Sequence, residues 1–164
     1  MKKANSPATP ATPHSAALQR ALRYLSYRPR SESEVRSYLR RRNYPPDTVE
    51  DVLAKLRSLN YLNDESFARN WALSRAQSHG YGPKRIEQEL RAKGIDQLKT
   101  HEIVREIFQE ENEESHARSL LTRRFKGQNL KDTKIIRRAA AFLQRRGYGS
   151  KVIFDLLRVS IDED

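Results

Sequence analysis

The residues of this chain with the clearest chemical capacity are clustered arginines. Arg40, Arg41 and Arg42 are consecutive, and Arg145 and Arg146 stand at the corresponding place of a later segment. Arg36 and the pair Arg137 and Arg138 extend the positive surface, and Arg123, Arg124 and Lys126 form a further group. A guanidinium is a rigid fork of N–H donors that matches phosphate or carboxylate oxygens, so the chemistry on offer is anion recognition. One or two cations at a helix C-terminus would only complement the helix dipole, at about 0.3–1 kcal/mol each. Three consecutive arginines exceed that need. Tyrosines could add stacking on nucleic-acid bases. Tyr44 and Tyr148 fall in register with Ile95, which marks them as packing residues, whereas Tyr81 follows Gly80 in a loop and is the freer candidate.

Other chemistries lack their residues. There is no phosphate-binding loop, and Gly80-Tyr81-Gly82 reads as the end of one helix and the start of the next. His14, His79, His101 and His116 include no pair three or four apart, so no metal site is expected. Glu110, Glu111, Glu113 and Glu114 read as a solvated helix junction. With no catalytic constellation and no cofactor motif, the chain is expected to work by binding rather than catalysis. Cysteine is absent, which suits a reducing compartment. No stretch approaches the roughly 18 apolar residues of a membrane span, and Lys2 and Lys3 precede no apolar run. The expected location is the cytoplasm, with no membrane partner.

The elements that must position these arginines are helices. Charged residues make up 32% and apolar residues 37% of the chain, with a net charge of +11, so any core is thin. Apolar residues recur at spacings of three and four, as in Leu18, Ala21, Leu22 and Leu25, or Val49, Val52, Leu53 and Leu56. Ser31 with Glu34 forms a capping box, Pro46 and Pro83 suit first helical turns, and Asp64, Asp132 and Ser150 suit N-caps.

Superposed, the stripes repeat. Leu39 matches Leu90 and Leu143; four residues earlier stand Val35, Ile86 and Ala139. Four residues later stand Asn43, Gly94 and Gly147, which tolerate the left-handed conformation that ends a helix. Next come Tyr44, Ile95 and Tyr148, and eight and nine residues beyond these come Val52-Leu53, Ile103-Val104 and Leu156-Leu157. The pattern predicts an all-α protein of three tandem three-helix repeats, 16–61, 62–110 and 111–159, forming an elongated, curved array with modest contacts between repeats. A disordered tail over 1–14 and an acidic tail over 160–164 flank them. Lys and Arg exceed Asp and Glu by five in the first repeat, balance them in the second, and exceed them by four over 111–164. Electrostatic grip is expected at the two outer repeats.

In the middle repeat, Tyr61-Leu62-Asn63-Asp64, Phe67-Ala68, Trp71, Arg75 and Gly80 resemble the signature of the bacterial RecX family. The run Gly82-Pro83-Lys84-Arg85-Ile86, Glu89-Leu90 and Lys93-Gly94-Ile95 continues it. Ser31-Glu32, Glu34-Val35 and Tyr38-Leu39 resemble the family's first repeat, and Phe142-Leu143, Arg145-Arg146-Gly147-Tyr148 and Ile153 its last. The likeness covers about residues 16–158. It implies tandem three-helix repeats and a cytoplasmic, monomeric non-enzyme that binds RecA filaments on DNA. It also implies inhibition of RecA recombinase, ATPase and SOS coprotease activities, with weak nonspecific DNA binding by the protein alone. The motif residues Asp64, Phe67, Trp71, Gly80, Gly82, Ile86, Leu90 and Gly94 are mostly core and caps. The alternative is a stand-alone DNA-binding regulator reading a groove with a third helix. Asp47, Glu50 and Asp51 on that helix would repel phosphate.

Overall fold

The computed structural model describes residues 12–110 and 112–162. Among them lie nine helices and no strand. The first three are α1 (Pro13–Tyr27), α2 (Glu32–Arg40) and α3 (Pro46–Ser58). The next are α4 (Asp64–His79), α5 (Pro83–Ala92) and α6 (Gln97–Glu110). The last are α7 (Glu113–Arg124), α8 (Thr133–Arg146) and α9 (Ser150–Asp162). Of the tail expected over 1–14, residues 1–11 lie outside the described residues, while Pro13 and His14 open α1 under a Thr12 cap. Residues 160–162 continue α9, and 163–164 lie outside the description.

Local rules set the helix ends. The Ser31 hydroxyl accepts from Glu34 N–H at 3.2 Å, and Glu34 returns a carboxylate to Ser31 N–H at 3.1 Å, completing the capping box. Pro46 and Pro83 open α3 and α5, and Asp132 caps α8 by accepting from Lys134 N–H at 2.7 Å. Two expected caps are displaced by one residue. Asn63, not Asp64, caps α4: its side chain accepts from Ser66 N–H at 2.9 Å. This leaves Asp64 to accept from Glu32 N–H at the start of α2, at 2.8 Å. At α9, Gly149 holds the cap position, its carbonyl accepting from Ile153 N–H at 3.0 Å, and Ser150 is the first helical residue.

The second helix of every repeat ends identically. Asn43, Gly94 and Gly147 take φ of 60°, 79° and 89°. Tyr44, Ile95 and Tyr148 then donate to the carbonyls of Leu39, Leu90 and Leu143 at 3.4, 3.1 and 3.2 Å. Each stop thereby returns an apolar side chain to the core it has just left. The in-register pairs Val52-Leu53, Ile103-Val104 and Leu156-Leu157 are all buried.

By contacts the chain forms two compact units, residues 1–67 and 68–164. In the first, Ala17 and Ala21 of α1 let that helix approach Val35 and Leu39 of α2 and Val49 to Leu56 of α3. In the second, repeat 3 closes around Leu120, Leu121, Phe125, Leu143, Tyr148, Leu156 and Leu157. Repeat 2 buries Ile86, Leu90, Ile95, Ile103, Val104 and Ile107. Most of repeat 2, from Ala68, shares a unit with repeat 3, and within that unit α5 and α8 are clasped through their backbones.

That clasp joins a helix start to a helix end. Gly82 N–H donates to the Arg146 carbonyl at 2.7 Å and Lys84 N–H to the Gly147 carbonyl at 3.1 Å. Unsatisfied donors opening α5 thus serve unsatisfied acceptors closing α8, and the two helix dipoles meet head to tail. The approach requires glycine on both sides. A Cβ on Gly82 would lie 2.8 Å from the Gly147 carbonyl, and one on Gly147 would lie 2.5 Å from Arg85 N.

Candidate interaction surface

In repeat 1 the four candidate arginines divide by environment. Arg36 is half-buried and paired: it reaches Glu32 at 2.7 Å and Glu50 at 2.9 Å, and Arg57 also grips Glu32 at 2.8 Å. The hydrogen bond that Arg36 donates to Glu50 raises the Arg36 pKa further above its ordinary value. The same bond holds the Glu50 carboxyl below its ordinary value. Burial alone would raise Glu32, yet hydrogen bonds from Arg57 and Arg36 hold it below its ordinary value. Arg40, Arg41 and Arg42 instead lie on the surface. Arg40 stays 3.8 Å from Glu50 with its side chain 57% exposed. Arg42 lies over the Tyr38 ring at 3.8 Å, Tyr38 stacks on Tyr24 at 3.9 Å, and Arg30 covers Tyr24 at 4.1 Å. This stack orders a long cationic side chain without neutralising it, which lowers the entropy lost when an anion binds.

In repeat 3 the structure gathers four candidates. Arg124 at the end of α7 and Arg137, Arg138 and Arg145 of α8 line one open groove of about 340 Å³. Arg138 and Arg145 share a face because seven residues are close to two helical turns, and Arg137 flanks them. Phe125 and Phe142, in edge contact at 5.9 Å, form part of the lining, and no carboxylate lines it among the described residues. Arg123 and Lys126 are exposed but do not line this groove.

Arg146 is not in that set. Its guanidinium donates to the His79 carbonyl at the end of α4 and lies over Phe142 at 5.2 Å and Tyr81 at 5.6 Å. Arg85 covers Tyr81 at 4.1 Å and donates to the Arg145 carbonyl at 3.2 Å. Tyr81 therefore sits between two guanidinium groups at the junction of repeats 2 and 3. Expected to be free in its loop, Tyr81 is covered by Arg85, four residues on in α5, and by Arg146, which only packing brings from repeat 3.

The motif residues sort similarly. Phe67, Gly80, Gly82, Ile86 and Leu90 are buried, while Gly94 closes α5 from an exposed position. Leu120 packs over Gly80, where a Cβ would stand 2.9 Å away. Trp71 is only partly buried: its indole N–H donates to Glu89 at 3.0 Å, and Arg75 and Lys93 cover its ring at 4.2 and 4.7 Å. Arg75 completes the set with a 2.7 Å bond to Glu89. Among the described residues no group of three or more His, Cys, Asp or Glu could hold a metal ion. No helix there is long and apolar enough to cross a membrane.

Fold and surface define a class: an all-helical protein of three tandem three-helix domains carrying cationic helix ends in the first and third. Family profiles for the first, second and third three-helix domains of RecX match residues 17–56, 63–98 and 111–157. The regulatory protein RecX of Mycolicibacterium smegmatis is 31% identical over 156 residues, 93% of this chain and 83% of that protein. That of Bacillus subtilis is 34% identical over 88% of this chain. The chain spans only a little over half the length of the Bacillus relatives, 56% for Bacillus subtilis. A crystal structure of RecX from Lactobacillus salivarius aligns with a TM-score of 0.76 over 92% of this chain and 97% of its own, at 24% identity. A second regulatory protein RecX structure aligns at 0.74 over 90% of this chain and 72% of its own, with 27% identity. The chain belongs to the RecX family of regulatory proteins.

Proposed function

We propose that this protein binds RecA filaments assembled on DNA and modulates RecA, mainly by inhibiting its recombinase, ATPase and SOS coprotease activities. Family membership carries the reading, and the two exposed arginine clusters agree with it. A filament on DNA presents phosphate and acidic protein surface, the two partners a guanidinium cluster suits. The protein acts by binding rather than catalysis, as a cytoplasmic monomer whose own affinity for bare DNA is weak and nonspecific.

The deciding measurement is single-strand-dependent ATP hydrolysis by RecA with this protein added substoichiometrically. Inhibition with only weak binding to bare DNA is the expected result. Tight, sequence-selective DNA binding without inhibition would establish the stand-alone regulator instead.

A further inference from the structure

The arginine groove of repeat 3 does not end within its repeat. Arg145 lines it together with Arg124, Arg137 and Arg138, and the same residue lines a second open cavity of about 570 Å³ between α5 and α8. The lining of that cavity includes Lys84 and Gln88 of α5, Gln144 of α8 and Ser150 of α9. One cationic path therefore runs from the end of α7, along α8 and over the clasped joint onto α5. Repeat 2, neutral as a whole, supplies its far end through Lys84.

Charge along this path is uncompensated. Lys84, Arg124, Arg137, Arg138 and Arg145 are exposed, and none of them makes an ion pair among the described residues. Glu89 and Arg85 also line the second cavity but are engaged elsewhere. Glu89 is held by Arg75 at 2.7 Å and by the Trp71 indole at 3.0 Å, and Arg85 by the Tyr81 ring and the Arg145 carbonyl. Repeat 1 differs, since Arg28, Arg36, Arg40 and Arg57 each face Glu32, Glu34 or Glu50. Like charges set side by side without carboxylates repel one another, and an anion from outside relieves that repulsion.

The form of the path selects the anion. Arg138 and Arg145 lie roughly 10 Å apart along α8, which spaces cations on a line rather than around a point. The apolar anchors of a protein interface are missing, because Phe125 is buried and Arg146 lies over Phe142. A furrow beside packed helices, whose axes lie about 8–10 Å apart, admits one strand but not a duplex. We infer that this path is a track for the phosphodiester backbone of single-stranded nucleic acid, crossing from repeat 3 to repeat 2. With Phe125 and Tyr148 buried and Phe142 covered, bases find little to stack on, so binding is weak, tolerant of sequence and strongly salt-dependent. The inference deepens the filament reading by giving the DNA of the complex a place on this chain, but it is read on bare strand and so fails separately.

Arg138→Glu with Arg145→Glu reverses the middle of the track, and Lys84→Glu reverses its end on repeat 2. Lys134→Glu with Lys151→Glu is the control: both lysines are exposed in repeat 3, line neither cavity and give the same change in net charge as the arginine pair. Binding to labelled oligo(dT) is read by anisotropy across a salt series, with helicity and melting as folding checks. The arginine pair is expected to lose at least about tenfold in affinity at low salt, and its log–log salt slope to fall by about 1.4, or about 0.7 for each phosphate contact. Lys84→Glu is expected to lose about fivefold, and the lysine pair less than about threefold. Unchanged oligo(dT) binding by the folded arginine pair overturns the track, and loss of RecA filament binding alone would make the path an acidic protein contact instead. Equal losses in the arginine and lysine pairs also overturn it, since net charge would then govern binding. Unchanged binding by Lys84→Glu overturns the crossing to repeat 2, and equal loss on blunt duplex DNA overturns the choice of single strand. Unmodified protein that binds oligo(dT) through the track yet leaves RecA filaments alone keeps the track and overturns the filament reading.

Discussion

Tyr148 shows how a single residue carries both a family position and a physical cost. Its ring is buried where Tyr44 and Ile95 pack in the sister repeats, yet its hydroxyl is buried without a hydrogen-bond partner among the described residues. Burial, then the nearby Glu113 charge, pushes its pKa up to about 12, with Arg146 opposing. The sign follows directly. The unfolded phenol ionises near 10 and the folded one near 12, so its contribution is intact below pH 10 and is lost as pH rises through 12. Tyr148→Phe keeps the ring and removes the unpaired group. It is expected to change stability by less than about 1 kcal/mol at neutral pH. Between pH 10 and 12 the variant should become the more stable of the two, as read by chemical denaturation across that range. A variant that loses stability at neutral pH would mean the hydroxyl is satisfied in solution.

At the scale of elements, the joint of α5 with α8 is the feature that separates repeats 2 and 3 from a loosely strung pair. Two backbone bonds, with one from the Arg85 side chain, make it, and they leave no room for a Cβ at Gly82 or Gly147. Gly82→Ala is expected to destabilise the unit of residues 68–164 by about 1–3 kcal/mol, the usual cost of forcing atoms into a packed site. Gly149→Ala is the matched control. Like Gly82 it is a helix N-cap, but its Cβ would meet only the Glu113 carboxylate, at 3.7 Å, so only the loss of a glycine cap, about 0.5–1 kcal/mol, is expected. Thermal melting of both variants checks the contrast, and equal melting temperatures would show that the joint yields without strain.

For the whole molecule the governing quantity is where positive charge remains available to a partner. Repeat 1 ties Arg36 into carboxylate pairs and presents Arg40, Arg41 and Arg42; repeat 3 gathers Arg124, Arg137, Arg138 and Arg145 along one groove. Reversing Arg40, Arg41 and Arg42 to Glu should weaken filament binding at least tenfold at low salt. It should also flatten the dependence on salt, by up to about three units of log–log slope if each contacts a phosphate. Inhibition by this variant equal to the unmodified protein across a salt series would remove repeat 1 from the contact.

Helices, their stops, the core positions and the threefold repeat were legible in the sequence because their causes are local. A capping box spans four residues, a glycine stop one, and an apolar stripe a turn or two, and the same solution is written three times. Asp64 marks the limit of that reading. It looked like a cap, but Asn63 performs the capping and Asp64 satisfies an N–H of another helix. Which arginines act together was not local information. Arg36 is restrained by Glu50, 14 residues away; Tyr81 is covered by Arg146 from a different repeat; Arg124 meets Arg145 only after α7 and α8 pack. The arginine clusters were therefore fixed by sequence as a supply of charge. Tertiary structure divided that supply into pairs, joints and open surface, because a guanidinium's availability depends on whichever carboxylate, carbonyl or ring the fold sets within reach.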